Sequence, residues 1–266
     1  MRWHGPVPKD PKMTAMGWIA LSLRFFAAIS LTLIFIGPIV IARACGLYAL
    51  QQRIIQIGSM IMLRILGLRL SHDLRSESAV SVYVANHSSW LDIFVLYASA
   101  PAQFVAKREV SKWPGIGVLG QLCGTVFIER TATRAKEHID QLTQRIDHGE
   151  KLMFFPEGTS TDGLRILPFR STLFGAFEGK DLSLQSVYVR YLPNEVYDPS
   201  LYGLWGELRF ARRIVVVLSL LKSGRVIVRY GPARNAKDFA SRKHLAHQLE
   251  EDIRELADPQ IASRSA

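Results

Sequence analysis

Residues 80–97 read VSVYVANHSSWLDIFVLY, and this stretch decides the fold. Residues 80–85 alternate apolar and small polar side chains with β-branched types, which is typical of a β-strand. The next four residues are polar and break the pattern, and a serine among them, Ser88 or Ser89, is a suitable N-cap for the apolar helix that follows. The stretch therefore predicts a strand, a turn that holds His87, and a helix, a place where α/β folds carry functional residues.

His87 and Asp92 are five residues apart, and five residues advance a helix by about 500°, so the two cannot share one face of a single helix. Their side chains meet only if His87 lies in the turn and Asp92 lies one turn inside the helix. The carboxylate would then hold one ring N–H and leave the other nitrogen to take a proton from a hydroxyl group, a step that typically contributes about 10² to 10⁴ in rate. The alternative is a turn histidine and an unrelated aspartate on the helix surface.

Short strand-like runs alternate with helical stretches along the rest of the chain. The predicted strands are residues 80–85, 103–106, 125–128, 152–155, 186–191 and 226–230. A helix is predicted over residues 137–146, and apolar residues at helical spacing from Leu245 to Leu256 predict a last helix that stops at Pro259. The alternation predicts an α/β fold with a mainly parallel or mixed sheet flanked by helices.

The N-terminal part of the chain is apolar. Residues 25–42 contain no charge, and as a helix they would extend about 27 Å, close to the hydrocarbon thickness of a bilayer. A second apolar stretch, residues 51–70, contains Arg53, Arg64 and Arg69, which favours a helix lying in the membrane interface. Together they predict a membrane anchor, although the first stretch also fits a re-entrant helix or a buried core helix.

The net charge of +10 is concentrated in residues 1–80, which hold nine Lys or Arg against three acidic residues. Such charge suits nucleic acid or an anionic lipid surface. Because it surrounds an apolar anchor, membrane lipids are the expected partner and nucleic acid is not. We expect three segments: a membrane anchor with an interfacial helix in residues 1–76, an α/β domain in residues 77–235, and a C-terminal helix and tail in residues 236–266.

Two further patterns give weak signals for metal or disulfide chemistry. Cys45 and Cys123 are far apart and match no ligand spacing, so neither a disulfide framework nor a metal site is expected. His244 and His247 lie three residues apart, but their helix is rich in charged residues, which favours a solvated surface. The sequence therefore predicts no metal site.

Two motifs resemble those of a known family. Residues 86–92, NHSSWLD, are similar to the N-H-x4-D motif of the glycerophospholipid acyltransferases, the family that contains the 1-acylglycerol-3-phosphate acyltransferases. Residues 155–159, FPEGT, resemble the second signature of that family and follow in the expected order. The string at residues 158–163, with residues 169–171 after it, looks more like the branch that includes lyso-ornithine lipid acyltransferases.

The resemblance implies that His87 and Asp92 form the catalytic unit. It also implies that the acceptor lipid binds at the loop of Glu157, Gly158 and Thr159, whose glycine and threonine are candidate backbone donors to an oxyanion.

Two cations are predicted to bind the acceptor's phosphate. Arg130 ends a segment, residues 124–130, that is similar to the family's G-x-x-F-I-x-R block, whose arginine is assigned to that phosphate. Lys107 is the second candidate, because it follows a predicted strand.

Residues 115–120, GIGVLG, match the glycine pattern of a dinucleotide-binding turn. Such a turn follows a strand directly, whereas this one follows residues 112–114, a poor strand end. We predict instead an apolar loop that passes beside an acyl chain. The residues predicted to line this acyl groove are Trp113, Ile116, Val118 and Leu119.

These observations predict a membrane-bound O-acyltransferase with its catalytic domain on the cytoplasmic face. It would move a fatty acyl group from acyl-CoA or acyl carrier protein to the free hydroxyl of a lysolipid, first of all 1-acyl-sn-glycerol-3-phosphate, with lyso-ornithine lipid or another lysophospholipid as the alternative. No cofactor is expected, and no G-x-S-x-G nucleophile motif is present. The alternative of another class is a non-catalytic membrane protein that binds anionic lipid.

Overall fold

The computed structural model describes residues 9–73, 79–113, 115–129, 135–205 and 210–257. The helices are α1 (Ala15–Ala44), α2 (Tyr48–Ile65), α3 (Asp92–Ser99), α4 (Ile116–Leu122), α5 (Ala135–Asp147), α6 (Phe210–Ser219) and α7 (Arg242–Ala257). The strands are β1 (Leu68–His72), β2 (Val82–Ala85), β3 (Gln103–Lys107), β4 (Val126–Ile128), β5 (Leu152–Phe154), β6 (Ser183–Leu192) and β7 (Gly224–Asn235).

Within these ranges the strands form one sheet in the order β1-β7-β6-β2-β5-β3-β4. Strands β4, β3, β5, β2 and β6 run parallel to one another, β7 is antiparallel to β6, and β1 is parallel to β7. The prediction of a mixed sheet flanked by helices is therefore confirmed. Each predicted strand is present, with ends that differ by a few residues.

Strand β2 lies in the middle of the sheet and is buried on both faces. Val82 and Val84 belong to the core under α5 and α7, whereas Tyr83 and Ala85 belong to the core under α2 and α3. Successive side chains of a strand point to opposite faces, so a strand covered by helices on both faces needs apolar residues at every position.

Helix α1 is 30 residues long, about 45 Å at the rise of an α-helix. One face packs against the domain through Leu31, Phe35 and Ile39, spaced as on a helix. On the other face Phe26 and Leu33 are each 67% exposed. By length and composition α1 is able to cross a membrane, and its exposure does not fit the alternative of a buried core helix.

Arg24 fixes α1 to the domain at one point along the helix. Its guanidinium donates to the carbonyl oxygens of Leu218 and Leu220, at 3.1 and 2.6 Å. These carbonyls lie at the C-terminal end of α6, where backbone acceptors lack partners within the helix and a cation is favourable. Arg24, the charged residue at the N-terminal end of the predicted apolar run, therefore binds backbone carbonyls of the domain.

The prediction that the second N-terminal helix continues to Leu70 is wrong. Helix α2 ends at Ile65, Gly67 turns the chain at φ +73°, and β1 then pairs with β7. The N-terminal region thus supplies an edge strand of the sheet as well as two helices. The division of the chain into three segments stays a prediction.

Candidate active site

The parallel strands bring three parts of the chain to one edge of the sheet. His87 follows β2, Phe155 follows β5, and Lys107 ends β3. Because parallel strands end on the same side, loops that are distant in sequence meet there, which is where α/β proteins bind ligands. The residues predicted from the two motifs are therefore brought together.

The turn after β2 is held by side chains. Asn86 continues the pairing of β2 with β6, since its side chain accepts from the N–H of Val189 at 2.7 Å and donates to the carbonyl of the same residue at 3.0 Å. Neither Ser88 nor Ser89 caps the helix as predicted. Helix α3 begins at Asp92, after Leu91, and has no side-chain cap. His87 does lie outside the helix, but Asp92 is its first residue and not one turn inside.

His87 and Asp92 are in direct contact: Nδ1 of the ring lies 2.7 Å from Oδ2 of the carboxylate. The same oxygen accepts from the backbone N–H groups of Ser88 and Ser89, at 2.9 and 3.0 Å. The carboxylate is completely buried, and its other oxygen accepts from the hydroxyl of Tyr191 at 2.7 Å. A carboxylate only accepts, so the neutral imidazole carries its proton on Nδ1 and leaves Nε2 as an acceptor.

The serines of the motif bind a segment that follows β6, residues 202–204, which we call the strap. The hydroxyl of Ser89 donates to the carbonyl of Tyr202 at 2.6 Å, and the N–H of Leu204 donates to the carbonyl of Ser88 at 2.8 Å. The hydroxyl of Ser160 also donates to the carbonyl of Leu204. The strap therefore ties the turn after β2 to the loop after β5.

The imidazole of His87 lies flat against Phe155, with ring centroids 4.1 Å apart and an angle of 16° between the planes. The His87 side chain is 25% exposed. In the described part of the chain, Nε2 makes no hydrogen bond. One ring nitrogen is thus fixed by a carboxylate while the other is available to a ligand.

Glu157 is 2% exposed and bonds to the backbone on both sides of the site. One carboxylate oxygen accepts from the N–H of His87 at 2.7 Å and the other from the N–H of Leu167 at 2.9 Å. Burial raises the pKa of Glu157 from 4.5 to about 8, although the two N–H groups favour the ionised form. Glu157 is not among the described residues that line the cavity beside His87, although Gly158 and Thr159 are, and its implied contact with an acceptor stays a prediction.

Glu157 is expected to make the protein less stable as pH rises from about 4.5 to 8. Over that range the carboxyl is protonated in the folded protein and ionised in the unfolded chain, so the unfolded chain binds fewer protons and the free energy of unfolding falls. In Glu157→Gln this part of the fall should be absent, as measured by denaturant titration at several pH values. The exposed Glu109→Gln should keep the wild-type profile, and an unchanged profile in Glu157→Gln would contradict the raised pKa.

A cavity of ≈ 570 Å³ lies beside His87, between the N-terminal helices and the sheet. Phe35 of α1 and Met62 of α2 form part of one wall, and β3 forms part of the other. The cavity reaches from Lys107, at the carboxyl end of β3, to Cys123. The carbonyl of Cys123 lies 2.6 Å from the amide group of Gln103, the first residue of β3. The cavity therefore follows β3 from Lys107 back to Phe104, a length of about 10 Å.

Three of the four residues predicted to line an acyl groove do line this cavity, namely Trp113, Ile116 and Leu119. The prediction for Val118 is wrong, because this side chain is 58% exposed and is not among the described lining residues. Every fourth residue of a helix faces the same way, and Val118 lies on the opposite side of α4 from the cavity.

The glycine-rich segment is a helix and not the predicted loop. Gly115 precedes α4 with φ +74°. A Cβ at Gly117 would come within 1.9 Å of the carbonyl oxygen of Ser111. The glycines therefore allow backbone and helix to approach closely, which is a packing role.

The remaining predicted residues fall into three groups. Gly158 and Thr159 line the cavity, and Gly158 has φ +76°, a conformation that favours glycine. Lys107 is exposed at the end of β3 and also lines the cavity. Arg130 lies outside the described residues.

No metal centre is found in the part of the chain that the structure describes, where no group of three or more His, Cys, Asp or Glu is placed to hold an ion. His244 and His247 are exposed on α7. Cys45 is exposed and Cys123 lines the cavity, and both are free thiols. Sequence reasoning gave Phe155 no role beyond its place in the FPEGT motif, and it missed Tyr191 and the strap, which no local pattern marks.

Comparison with known proteins agrees with the motifs. Residues 69–190 match the family model described as Acyltransferase. Over 198 residues the chain is 46% identical to a lyso-ornithine lipid O-acyltransferase of Rhodobacter capsulatus, and the match covers 73% of this chain and 72% of that protein. Over 143 residues it is 34% identical to a 1-acyl-sn-glycerol-3-phosphate acyltransferase of Neisseria meningitidis, a match that covers 53% and 56% of the two chains.

The fold also has a counterpart among solved structures. The crystal structure of the 1-acyl-sn-glycerophosphate acyltransferase of Thermotoga maritima superposes with a TM-score of 0.64, covering 92% of this chain and 96% of that one at 19% identity. At that identity the likeness concerns the fold alone. The matching family model, together with a 46% identical relative matched over most of its length, confirms the resemblance stated from the motifs: the chain belongs to the acyltransferase family and is an enzyme of that class.

Proposed function

We propose that the protein transfers a fatty acyl group from a thioester to the free hydroxyl of a lysolipid, with His87 as the general base and Asp92 as the group that orients it. The main support is the 2.7 Å contact between His87 Nδ1 and Asp92, which leaves Nε2 as a proton acceptor beside an apolar cavity. A general base must first have a free acceptor atom within hydrogen-bonding reach of the substrate, and its pKa is the second requirement.

In the proposed reaction the acceptor hydroxyl gives its proton to Nε2 of His87 while its oxygen attacks the thioester carbonyl carbon. The tetrahedral intermediate then breaks its C–S bond, and the leaving thiolate takes the proton from the imidazolium. The buried carboxylate of Asp92 stabilises that imidazolium. The backbone N–H of Thr159 is the candidate donor to the oxyanion, since Thr159 lines the cavity, whereas the N–H of Gly158 already donates to the carbonyl of Phe155 at 3.4 Å.

The cavity along β3 is proposed to hold an acyl chain. Its walls are mostly aliphatic and aromatic side chains, and a volume of ≈ 570 Å³ is within the usual range for ligand sites. Cys123 lies at the end far from Lys107, so it marks the depth to which a chain can extend. Burial raises the pKa of this thiol to about 11, against the opposing effect of the nearby Arg43 guanidinium, so the thiol itself stays uncharged.

Cys123→Phe is expected to shorten the preferred acyl chain. The ring would fill the far end, so rates with sixteen-carbon donors should fall by about tenfold while rates with eight-carbon donors change little. Initial rates over a series of chain lengths measure this. Cys45→Phe, at an exposed thiol, should leave the series unchanged, and an equal loss at all chain lengths would remove the acyl-chain assignment.

For the acceptor we propose lyso-ornithine lipid ahead of 1-acyl-sn-glycerol-3-phosphate, although the latter was the first expectation from the sequence. Support comes from the 46% identity over 72% of the Rhodobacter capsulatus protein, against 34% over 56% of the Neisseria meningitidis protein. The second acceptor remains a candidate, because an ornithine carboxylate and a glycerol phosphate are both anions that Lys107 is able to pair with.

The test is an acceptor panel with the purified protein in vesicles. Labelled acyl-CoA and labelled acyl carrier protein are supplied in separate arms, each with lyso-ornithine lipid, 1-acyl-sn-glycerol-3-phosphate and a lysophosphatidylcholine. We expect the doubly acylated ornithine lipid as the main labelled product. Preference for the glycerol phosphate would select the second acceptor, and no acylation in either arm would disprove the proposed function.

We also propose that the protein is attached to a membrane through α1, with the catalytic domain on the cytoplasmic face, where acyl-CoA and acyl carrier protein are found. In support, the outer face of α1 is apolar and exposed along its length. Its inner face packs on the domain, so a helix lying along the membrane surface fits this packing better than one that projects away from the domain. Protease protection in sealed vesicles of known orientation tests on which face of the membrane the catalytic domain lies.

A further inference from the structure

Tyr191 holds the carboxylate that orients His87, although it belongs to neither sequence motif. We propose that Tyr191 is a positioning residue for acyl transfer, which fixes Asp92 in the orientation that holds the imidazole. This inference rests on the role proposed above for His87. It adds a third side chain to the unit that the N-H-x4-D motif supplies.

The hydrogen bonds of Asp92 divide unequally between its two oxygens. Oδ2 takes the bonds from the His87 ring and from two backbone N–H groups, whereas Oδ1 has one bond in the described part of the chain, at 2.7 Å from the hydroxyl of Tyr191. Both side chains are buried, with Tyr191 9% exposed. Without the phenol, Oδ1 would be a buried charged oxygen with no donor, and rotation of the carboxylate toward another donor would move Oδ2 away from the ring.

The sheet places Tyr191 beside Asp92. Strand β6 pairs with β2 up to Ala85 and Val187, and the side chain of Asn86 extends the pairing to Val189. Tyr191 is two residues further along β6, so it lies on the same face as Val187 and Val189, next to the turn that carries His87. The register of β6 against β2 therefore fixes the distance between Tyr191 and Asp92.

The phenol is suited to act as a permanent donor. Burial, and then the nearby charge of Asp92, raise the pKa of Tyr191 well above its ordinary value, so the hydroxyl keeps its proton over the working range. The ring also packs on Tyr202 of the strap, with centroids 5.5 Å apart. The ring of Tyr191 thus packs against the same strap that Ser89 binds through the carbonyl of Tyr202.

The test is Tyr191→Phe, which keeps the ring and removes the hydroxyl. We expect kcat to fall about tenfold or more, with KM for donor and acceptor within about twofold of wild type, because the lost bond orients the base and touches neither substrate. Tyr230→Phe is the matched control, since Tyr230 is also buried and its hydroxyl is not bonded to Asp92. It should leave kcat unchanged.

A double variant separates positioning from a general structural role. In the Asp92→Asn background, Tyr191→Phe should lower kcat by less than about twofold, because the group through which it acts is already altered. An equal fall in both backgrounds, an unchanged kcat in the single variant, or a loss seen only in KM would each overturn the proposal.

Should Tyr191→Phe fold poorly, 3-fluorotyrosine at position 191 keeps the hydroxyl as a donor and should retain kcat within about twofold, and its failure to do so would count against the proposal. These outcomes differ from a failure of the proposed function, which would appear as an inactive wild-type protein.

Discussion

His87→Ala is expected to remove acyl transfer, lowering kcat by on the order of 10³-fold or more. A methyl group cannot take the proton of the acceptor hydroxyl, and Asp92 is completely buried behind the ring and has no access to the substrate. The variant should stay folded and membrane-attached, because the His87 side chain is 25% exposed and the backbone bonds of the turn remain. Initial rates, circular dichroism and vesicle flotation measure the three properties.

His244→Ala is the control, as an exposed histidine on α7, and should behave as wild type. Retention of more than a tenth of wild-type turnover in His87→Ala would show that another group is the base. The same measurements also test the alternative that the protein binds anionic lipid without catalysing a reaction. Such a protein would show no turnover before the substitution and an unchanged affinity for anionic vesicles after it.

Asp92→Asn is expected to lower kcat by on the order of 10² to 10³-fold with little change in KM. Three donors converge on Oδ2 and a phenol lies at Oδ1, so the asparagine oxygen should take the place of Oδ2 and its amide should face Tyr191. The ring orientation is then largely kept, but the negative charge that stabilises the imidazolium is lost. Steady-state kinetics for both substrates measure the effect.

Asp252→Asn is a matched control for the loss of a buried carboxylate. Asp252 lies on α7 and is 2% exposed. Its carboxylate accepts from the guanidinium of Arg234, on β7, at 2.7 Å. Its replacement should lower the free energy of unfolding without changing kcat. If Asp92→Asn only raised KM, Asp92 would belong to substrate binding, and the orienting role would be wrong.

Local patterns predicted much of the fold and the centre of the site. The strands were found because those of a covered sheet are short apolar runs, as in β5, and are often rich in β-branched residues, as in β2. The contact between His87 and Asp92 was found because both lie within one strand, turn and helix, where spacing limits the geometry. Strand and helix ends were less certain, since they depend on hydrogen bonds with other segments.

The errors share a physical cause. Residues 68–70 continue the apolar pattern of the second N-terminal stretch and resemble helix, but they belong to β1 because Gly67 turns the chain after α2 and β7 lies alongside. Val118 has the apolar character of its neighbours, and only the rotation of α4 turns it to solvent.

The sequence by itself determined the α/β class, the apolar N-terminal helix, and the pairing of a turn histidine with an aspartate five residues later. The tertiary structure alone decided which partners complete that pair: Glu157 is 70 residues from His87, and Tyr191 is 99 residues from Asp92. The physical reason is that periodicity and spacing describe how one segment exposes its side chains. Contacts between segments depend on the order and register of the strands, which place β5 and β6 on either side of β2.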